Sequence, residues 1–236
     1  MKTSRSAALA FGLSLSAALL GGCLVFLPLS PRSPRIADNW WASYKVRVGF
    51  GHGTGVVLTE DGYILTAAHV VANDPYIDVA IQTAPRHEDS FRAEVVAADK
   101  RYDLAVLKVN GHHFDKYAVL AGDTDIRPGD LVYGIGYPLD IEESVGRGYV
   151  VKMNVNFSSA AGDREVINAL LLDMFGAPGS SGEGVFAEAD GKLVGLMIGV
   201  LPMATAKNEP PCVVRWAASV SDIRYFLRQH GVPYYE

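Results

Sequence analysis

Short apolar runs separated by turn residues dominate the chain after its first 43 positions. The run at 44–50 alternates apolar and polar residues, as expected of a strand with one buried face. After the next run, Glu60, Asp61 and Gly62 give a hairpin signal, and the chain then becomes apolar again. Because no long helical pattern separates the runs, their spacing indicates an all-β barrel or sandwich. Strands are predicted at 44–50, 55–59, 63–66, 77–81, 93–98, 104–109, 131–137, 148–155, 166–172, 185–187, 193–200 and 213–217.

A helix of several turns is predicted near the C-terminus. Ser221 is positioned to cap its first turn, and Gly231 followed by Pro233 marks its end. Its apolar stripe consists of Ile223, Phe226 and Leu227, and its outward-facing cations are Arg224 and Arg228. We expect the stripe to pack on the last strands.

The N-terminal segment differs from the rest because residues 6–31 contain no charged side chain. Within it, residues 7–29 exceed the roughly 20 apolar residues that a helix needs to cross a membrane, which is typical of a targeting segment. We expect an uncleaved signal anchor; a cleaved signal peptide and lipidation at Cys23 remain as alternatives. Lys2 and Arg5 favour a cytoplasmic N-terminus, so the rest would lie outside the cytoplasm. The expected organisation is an anchor and linker at 1–35 and one domain at 36–236.

Composition excludes several classes of partner. The 236 residues are 49% hydrophobic, which is ample for a core, and the formal net charge is −5. Since no basic cluster is interleaved with aromatics, nucleic acid is not an expected partner. With only Cys23 and Cys212 present, we expect no internal disulfide. We also expect neither a metal nor an organic cofactor.

Residues 175–185 form a glycine-rich loop that contains Ser180 and Ser181. Glycine is used where the backbone takes a positive φ or passes close to another group, so such a loop can hold a hydroxyl beside free N–H groups. An acyl-transfer enzyme needs this combination, because the hydroxyl attacks a carbonyl and the amides stabilise the oxyanion. The alternative is an ordinary flexible turn.

A base and an orienting acid are available elsewhere in the chain. His69 follows a predicted strand hairpin, in a segment too short for more than one helical turn. Asp103 begins the near-continuous apolar run at 104–109. The alternatives are a buried core histidine and an acid that caps a turn.

His69, Asp103 and Ser181 occur in that order, and here the chain resembles the chymotrypsin-like serine proteases of the HtrA/Deg type. The motifs in register are Thr66-Ala67-Ala68-His69-Val70-Val71, Asp103-Leu104-Ala105-Val106-Leu107, and Asp173 with Pro178-Gly179-Ser180-Ser181-Gly182. The resemblance covers roughly residues 44–230. It implies an all-β fold of two barrels, roughly 36–115 and 116–236, with a C-terminal helix.

The resemblance also implies roles for single residues. Ser181 would be the nucleophile, His69 the general base and then acid, and Asp103 the orienting carboxylate. The backbone N–H groups of Gly179 and Ser181 would form the oxyanion hole. Ile198, Gly199 and Val200 would hydrogen-bond the substrate backbone.

The same resemblance implies, from two positions, which substrate side chain the primary pocket would accept. Phe175 would lie at the base of the primary pocket, where a carboxylate would be needed for cleavage after Lys or Arg. Val200 would narrow the pocket. We therefore expect small apolar side chains such as Val or Ala, unless both residues belong to the core.

Two departures from the family pattern bear on activity. Glu183 stands where the family usually has glycine, and it would strain the loop or place a charge near the imidazole. Relatives commonly carry a peptide-binding PDZ module after the protease, and we expect none here because the sequence ends at Glu236.

The sequence therefore predicts a membrane-anchored serine endopeptidase that acts on exported or misfolded polypeptides. A catalytically weak or inactive binding or chaperone-like module is the main alternative, and a plain β adhesion domain is a third. The sequence does not indicate an oligomeric state.

Overall fold

The computed structural model describes residues 33–49, 51–72, 74, 77–84, 87–123, 125–141, 144–158, 165–203 and 212–236. Strands predominate, and the fold class predicted from the sequence is confirmed. The strands are β1 Ser43–Val48, β2 Gly51–Val57, β3 Tyr63–Ala67, β4 Ile77–Ala84, β5 His87–Asp99, β6 Leu104–Val109, β7 Leu131–Gly136, β8 Ser144–Ser158, β9 Glu165–Met174, β10 Gly184–Ala187, β11 Leu193–Met203 and β12 Cys212–Ser219. The helices are α1 Pro34–Trp40, α2 Ala68–Val71 and α3 Val220–Gln229, and a 3₁₀ turn spans Pro138–Asp140.

The strands close into two antiparallel barrels of six strands each. The first has the order β1-β2-β3-β6-β5-β4, and β4 pairs back onto β1. The second has the order β7-β8-β9-β12-β11-β10, and β10 pairs back onto β7. The two barrels therefore share one topology, although the sequence contains no visible repeat. Closure also removes the unpaired edges that an open sheet would expose.

Separate apolar cores fill the barrels, and a third cluster joins them. The first core includes Val46 and Leu107, and the second includes Leu172 and Val194. The joining cluster contains residues of both barrels and of α3, among them Leu104, Tyr133 and Phe226. Strand β6 is buried along most of its length because it contributes to the first core and to the joining cluster.

The predicted start of the C-terminal helix at Ser221 is wrong. Ser219 is the N-cap, and its Oγ accepts a hydrogen bond from the N–H of Asp222 at 3.3 Å. Ser219 can do this because it still has the extended backbone of β12, with φ −73° and ψ 157°.

The predicted outward position of Arg224 is also wrong. The residue is 8% exposed, and its guanidinium binds Asp123, Glu236 and the carbonyl of Ala121. Segments before β7 and after α3 cover this face of the helix and supply the two carboxylates. The predicted apolar stripe is confirmed, since Ile223, Phe226 and Leu227 are all buried in the joining cluster.

The predicted anchor at 7–29, including Cys23, lies outside the described residues. None of the helices in the described part of the chain is long and apolar enough to cross a bilayer.

Candidate active site

Two neighbouring strands of the first barrel bring His69 and Asp103 together. His69 is the second residue of α2, which starts directly after β3, and Asp103 directly precedes β6. Strands β3 and β6 are antiparallel, with Ala67 opposite Leu104, so the end of one meets the start of the other. The carbonyl of Asp103 accepts a hydrogen bond from the N–H of Ala68 at 2.9 Å, which ties the start of α2 to β6.

The carboxyl group of Asp103 holds both the backbone and the ring of His69. Its Oδ1 accepts the His69 backbone N–H at 2.8 Å, and its Oδ2 lies 2.7 Å from His69 Nδ1. The Asp103 side chain is only 3% exposed, whereas that of His69 is 37% exposed. Asp103 has a φ of 55°, a left-handed conformation that aspartate tolerates better than most residues. This geometry fixes the imidazole with Nε2 available for a second partner.

Ser181 from the second barrel supplies that partner. Its Oγ lies 2.9 Å from His69 Nε2, so the serine, imidazole and carboxylate form one hydrogen-bonded line. The three residues predicted from the sequence are thus brought together, although they are up to 112 positions apart.

A tight turn presents Ser181 from the loop between β9 and β10. The N–H of Ser180 donates to the carbonyl of Ala177 at 2.9 Å, with Pro178 and Gly179 as the central residues. Gly179 has a φ of 100°, and a Cβ there would clash with the carbonyl of Tyr137. Proline followed by a residue of positive φ is the signature of a type II turn, so glycine is required at this position.

The N–H groups of Gly179 and Ser181 are available beside the Ser181 hydroxyl. Within the described part of the chain, neither takes part in a backbone hydrogen bond, whereas the N–H groups of Ser180, Gly182 and Glu183 all do. These two amides were the ones predicted for the oxyanion hole, and the loop leaves both of them free to bind a ligand oxygen.

Thr54 of β2 connects the serine loop to the first barrel. Its N–H donates to the carbonyl of Ser181 at 2.8 Å, and its Oγ1 donates to the carbonyl of Gly179 at 2.9 Å. The same Oγ1 accepts the N–H of Tyr137 at 3.2 Å. Thr54 belongs to none of the motifs recognised in the sequence, and its only signal is its place between Gly53 and Gly55.

Glu183 is buried at the seam between the serine loop and β7. It is 3% exposed, and its carboxyl group lies in the space left by Gly134 and Gly136, where a Cβ on Gly134 would clash with it. Burial raises the pKa of Glu183 to about 8, although a hydrogen bond from Ser180 acts in the opposite direction. At neutral pH the carboxyl is therefore mostly protonated, so it does not place the expected negative charge near the imidazole.

A cavity of about 400 Å³ opens beside Ser181. Its walls include Ala177, Pro178, Met197, Gly199, Val200 and Arg215. Gly199 and Val200 thus lie where the sequence placed them, and Ile198 is buried behind them. Phe175 does not line the cavity: the residue is 55% exposed, and its carbonyl and Cβ lie beside Gly146.

One edge of residues 198–200 is open to a ligand strand. The pairing of β11 with β10 ends at Leu196, opposite Gly184, while β12 continues to pair with the other edge of β11. Beyond Leu196 the first edge of β11 faces no strand among the described residues. An extended peptide could add there by backbone hydrogen bonds.

Arg215 lines this cavity although no motif in the sequence predicts a role for it. It lies on β12 directly opposite Val200. A lone cation in the apolar run Val213-Val214-Arg215-Trp216-Ala217 was the available signal, but only the folded chain shows that it borders the cavity.

Within the described residues, no group of three or more His, Cys, Asp or Glu side chains could hold a metal ion.

The chain matches a known protein family. A family profile described as a trypsin-like peptidase domain matches residues 53–196, a range that contains all three residues of the hydrogen-bonded line.

Among curated proteins, the chain is similar to the serine protease Do-like HtrA of Bacillus subtilis, with 34% identity over 153 residues. That alignment covers 62% of this chain and 33% of the relative. The serine endoprotease DegS of Haemophilus influenzae is 32% identical over 159 residues, which cover 66% of this chain and 43% of that protein. The chain thus spans between about a third and under half of the length of these relatives.

Among solved structures, the serine endoprotease from Yersinia pestis superposes with a TM-score of 0.64 at 22% identity. The superposition covers 83% of this chain and 65% of that one. At this level of identity the likeness establishes a common fold.

Proposed function

The chain belongs to the trypsin-like peptidase domain family, and on that basis we propose that it is a serine endopeptidase that uses Ser181, His69 and Asp103. The observation that carries the proposal is the hydrogen-bonded line from Ser181 Oγ through His69 to Asp103, at 2.9 and 2.7 Å. A serine hydroxyl is a weak nucleophile until a base takes its proton, and this line supplies the base.

In the first half of the reaction, Ser181 Oγ attacks the carbonyl carbon of the scissile bond while His69 Nε2 takes the hydroxyl proton. Asp103 keeps the other ring proton on Nδ1 and stabilises the imidazolium that forms. The N–H groups of Gly179 and Ser181 donate to the oxyanion, an interaction worth about 3 to 4 kcal/mol for a single donor in other enzymes. His69 then gives its proton to the leaving amine, which leaves an acyl-enzyme.

In the second half, water replaces the amine. His69 takes a proton from the water as its oxygen attacks the acyl carbon, and it returns a proton to Ser181 Oγ when the ester bond breaks. The open edge at Ile198, Gly199 and Val200 would align the substrate backbone during both halves. No cofactor is needed to balance either step.

The proposal also covers the polypeptides that the domain cleaves and the place where the domain lies in the cell. We propose that the substrates are exported or misfolded polypeptides and that residues 7–29 anchor the domain to the membrane. The uncharged length of that segment supports the second point. One of the similar proteins, from Halomonas elongata, is itself described as a probable periplasmic serine endoprotease.

Labelling with a fluorophosphonate probe tests the catalytic assignment. We expect wild-type protein to react once, at Ser181, and the Ser181→Ala variant not to react, with peptidase activity lost in parallel. Ser90→Ala is the matched control, because Ser90 is exposed on β5 in the other barrel. A folded wild-type protein that neither reacts nor cleaves would favour the inactive binding module.

A further inference from the structure

Arg215 has hydrogen-bond donors that the protein itself leaves unused. Its Nη2 donates to the carbonyl of Gly176, but its Nε and Nη1 are buried without a hydrogen-bond partner. In the described part of the chain these are the only buried side-chain nitrogen or oxygen atoms in that condition. Ion pairs among the described residues do not include Arg215 either.

This condition is unusual for a guanidinium. Buried polar groups nearly always have a partner, and leaving a charged donor unsatisfied costs more than leaving a neutral one. Arginine stays charged at every physiological pH, so it cannot relieve the cost by losing a proton. The unused donors therefore point to a ligand that completes the site.

The position of Arg215 indicates which ligand. Its side chain borders the same 400 Å³ cavity as Ser181, with apolar walls that include Pro178, Met197 and Val200. A peptide whose carbonyl lies at Ser181 Oγ would place the side chain of that residue in this cavity. The unpaired guanidinium charge attracts a carboxylate, its free N–H groups can each donate to a carboxylate oxygen, and apolar walls strengthen the attraction.

We propose that Arg215 makes the enzyme select substrates with Asp or Glu at the acyl residue, the residue whose carbonyl Ser181 attacks. This proposal rests on the proposed function, and it replaces the small apolar preference expected from Phe175 and Val200. Phe175 lies outside the cavity, and Val200 serves as an apolar wall beside the charge.

Gly176 positions the arginine for this role. A Cβ on Gly176 would lie 2.7 Å from Arg215 Nε and 3.1 Å from its Cδ. The guanidinium can therefore lie flat along the loop only because residue 176 has no side chain. Gly176→Ala should displace the charge without removing it, which gives a second variant that tests placement and not charge alone.

The experiment compares peptides that differ only at the acyl residue, with Glu, Gln, Asp, Asn, Ala or Val. For the wild type we expect kcat/KM to be about 10- to 100-fold higher for Glu than for the isosteric Gln, and likewise for Asp over Asn. Arg215→Gln should bring the Glu to Gln ratio close to 1. Gly176→Ala should lower the ratio to an intermediate value.

Arg127→Gln is the matched control, because Arg127 is exposed in the loop before β7 and outside the cavity. It should leave the Glu to Gln ratio at the wild-type value. If the wild type cleaves after Ala or Val at least as fast as after Glu while the probe labels Ser181, the specificity proposal is overturned and the proposed function stands.

If the probe does not label Ser181, the proposed function fails, and binding then decides the role of Arg215. Calorimetry with the Ser181→Ala protein would compare uncleaved peptide amides that carry Glu or Gln at the acyl residue. Binding of the Glu peptide at least about 10-fold more tightly, lost in Ser181→Ala/Arg215→Gln, supports carboxylate recognition. Equal binding overturns it.

Discussion

Glu183 shows what the environment of a single acid can do to its charge in the loop that carries Ser181. Its carboxyl fills the space between the serine loop and Gly134 and Gly136 of β7, where it is almost fully buried. A buried carboxylate is costly, so the group holds its proton and its pKa rises to about 8. The sequence led us to expect loop strain or a new charge from Glu183. In the structure it is instead a neutral acid that packs between the serine loop and β7.

We predict that Glu183→Gln stabilises the protein increasingly as the pH rises. The folded state keeps the Glu183 proton up to about pH 8, whereas an unfolded chain releases it near the ordinary value of 4.5. Unfolding therefore releases a proton between these values, so wild-type stability falls as the pH rises through this window and levels off above it. The advantage of the glutamine variant should reach on the order of a few kcal/mol at pH 9.

Urea unfolding of both proteins at pH 4.5, 6.5 and 9 measures this advantage. Glu60→Gln is the control, since Glu60 is exposed and the same substitution there should give an offset that does not change with pH. An offset at Glu183 that is equally constant would show that the carboxyl is not held neutral by the fold.

At the scale of single elements, periodicity predicted most strands, and tertiary contacts decided their ends. Strand β6 was predicted with its observed bounds, because Leu104–Val109 is apolar at nearly every position. Strands β5 and β8 run farther than predicted, since their added residues pair with β4, β7 and β9 although most of them are polar. Apolar periodicity cannot report pairing of this kind, because backbone groups and not side chains form the bonds.

The start of α3 illustrates the same limit. Ser219 and Ser221 are both suitable caps by residue type, and the choice depends on which backbone remains extended at the end of β12. The interior of the helix was predictable because Ile223, Phe226 and Leu227 follow its period, whereas the burial of Arg224 depends on Asp123 and Glu236, which no local pattern links to it.

We predict that Ser219→Ala lowers the free energy of unfolding by about 1 kcal/mol, the usual cost of losing a serine N-cap. The loss arises because the N–H of Asp222 no longer has the Ser219 hydroxyl as its acceptor. Chemical denaturation measures the change. Ser221→Ala, two positions on, removes an exposed hydroxyl and should cost only a few tenths of a kcal/mol; a larger loss at 221 than at 219 would reverse the assignment of the cap.

At the scale of the whole molecule, the site is assembled from two barrels of identical topology. The first barrel supplies His69 and Asp103, and the second supplies Ser181 with the cavity. The sequence identified the three residues because their motifs are local, but it could not identify Thr54 or Arg215, whose roles depend on how distant segments meet. Across the interface between the barrels, Thr54 hydrogen-bonds to three residues of the second barrel, Ser181, Gly179 and Tyr137.

We predict that Thr54→Val lowers kcat/KM by about 10- to 100-fold, because the serine loop loses a bond that sets its position relative to His69. The free energy of unfolding should also fall by about 1 to 3 kcal/mol, since the buried carbonyl of Gly179 and the N–H of Tyr137 lose their partner. Peptide hydrolysis and urea unfolding measure the two effects.

Thr59→Val is the matched control for this change. Thr59 is also buried, but its Oγ1 accepts a hydrogen bond from Tyr63 within one hairpin of the first barrel. We expect it to lose stability and keep its activity. Full activity in Thr54→Val would mean that the hydrogen bonds of Thr54 to the second barrel do not position Ser181.

Because the site is divided between the barrels, the proposed peptidase activity depends on how the barrels dock. A shift of one barrel against the other by one ångström would separate Ser181 Oγ from His69 Nε2 while both cores stayed packed. Displacements of that size cost about a hundredfold in rate. Mild denaturant, heat or a ligand that inserts between the barrels should therefore abolish the proposed peptidase activity well before spectroscopic probes register unfolding.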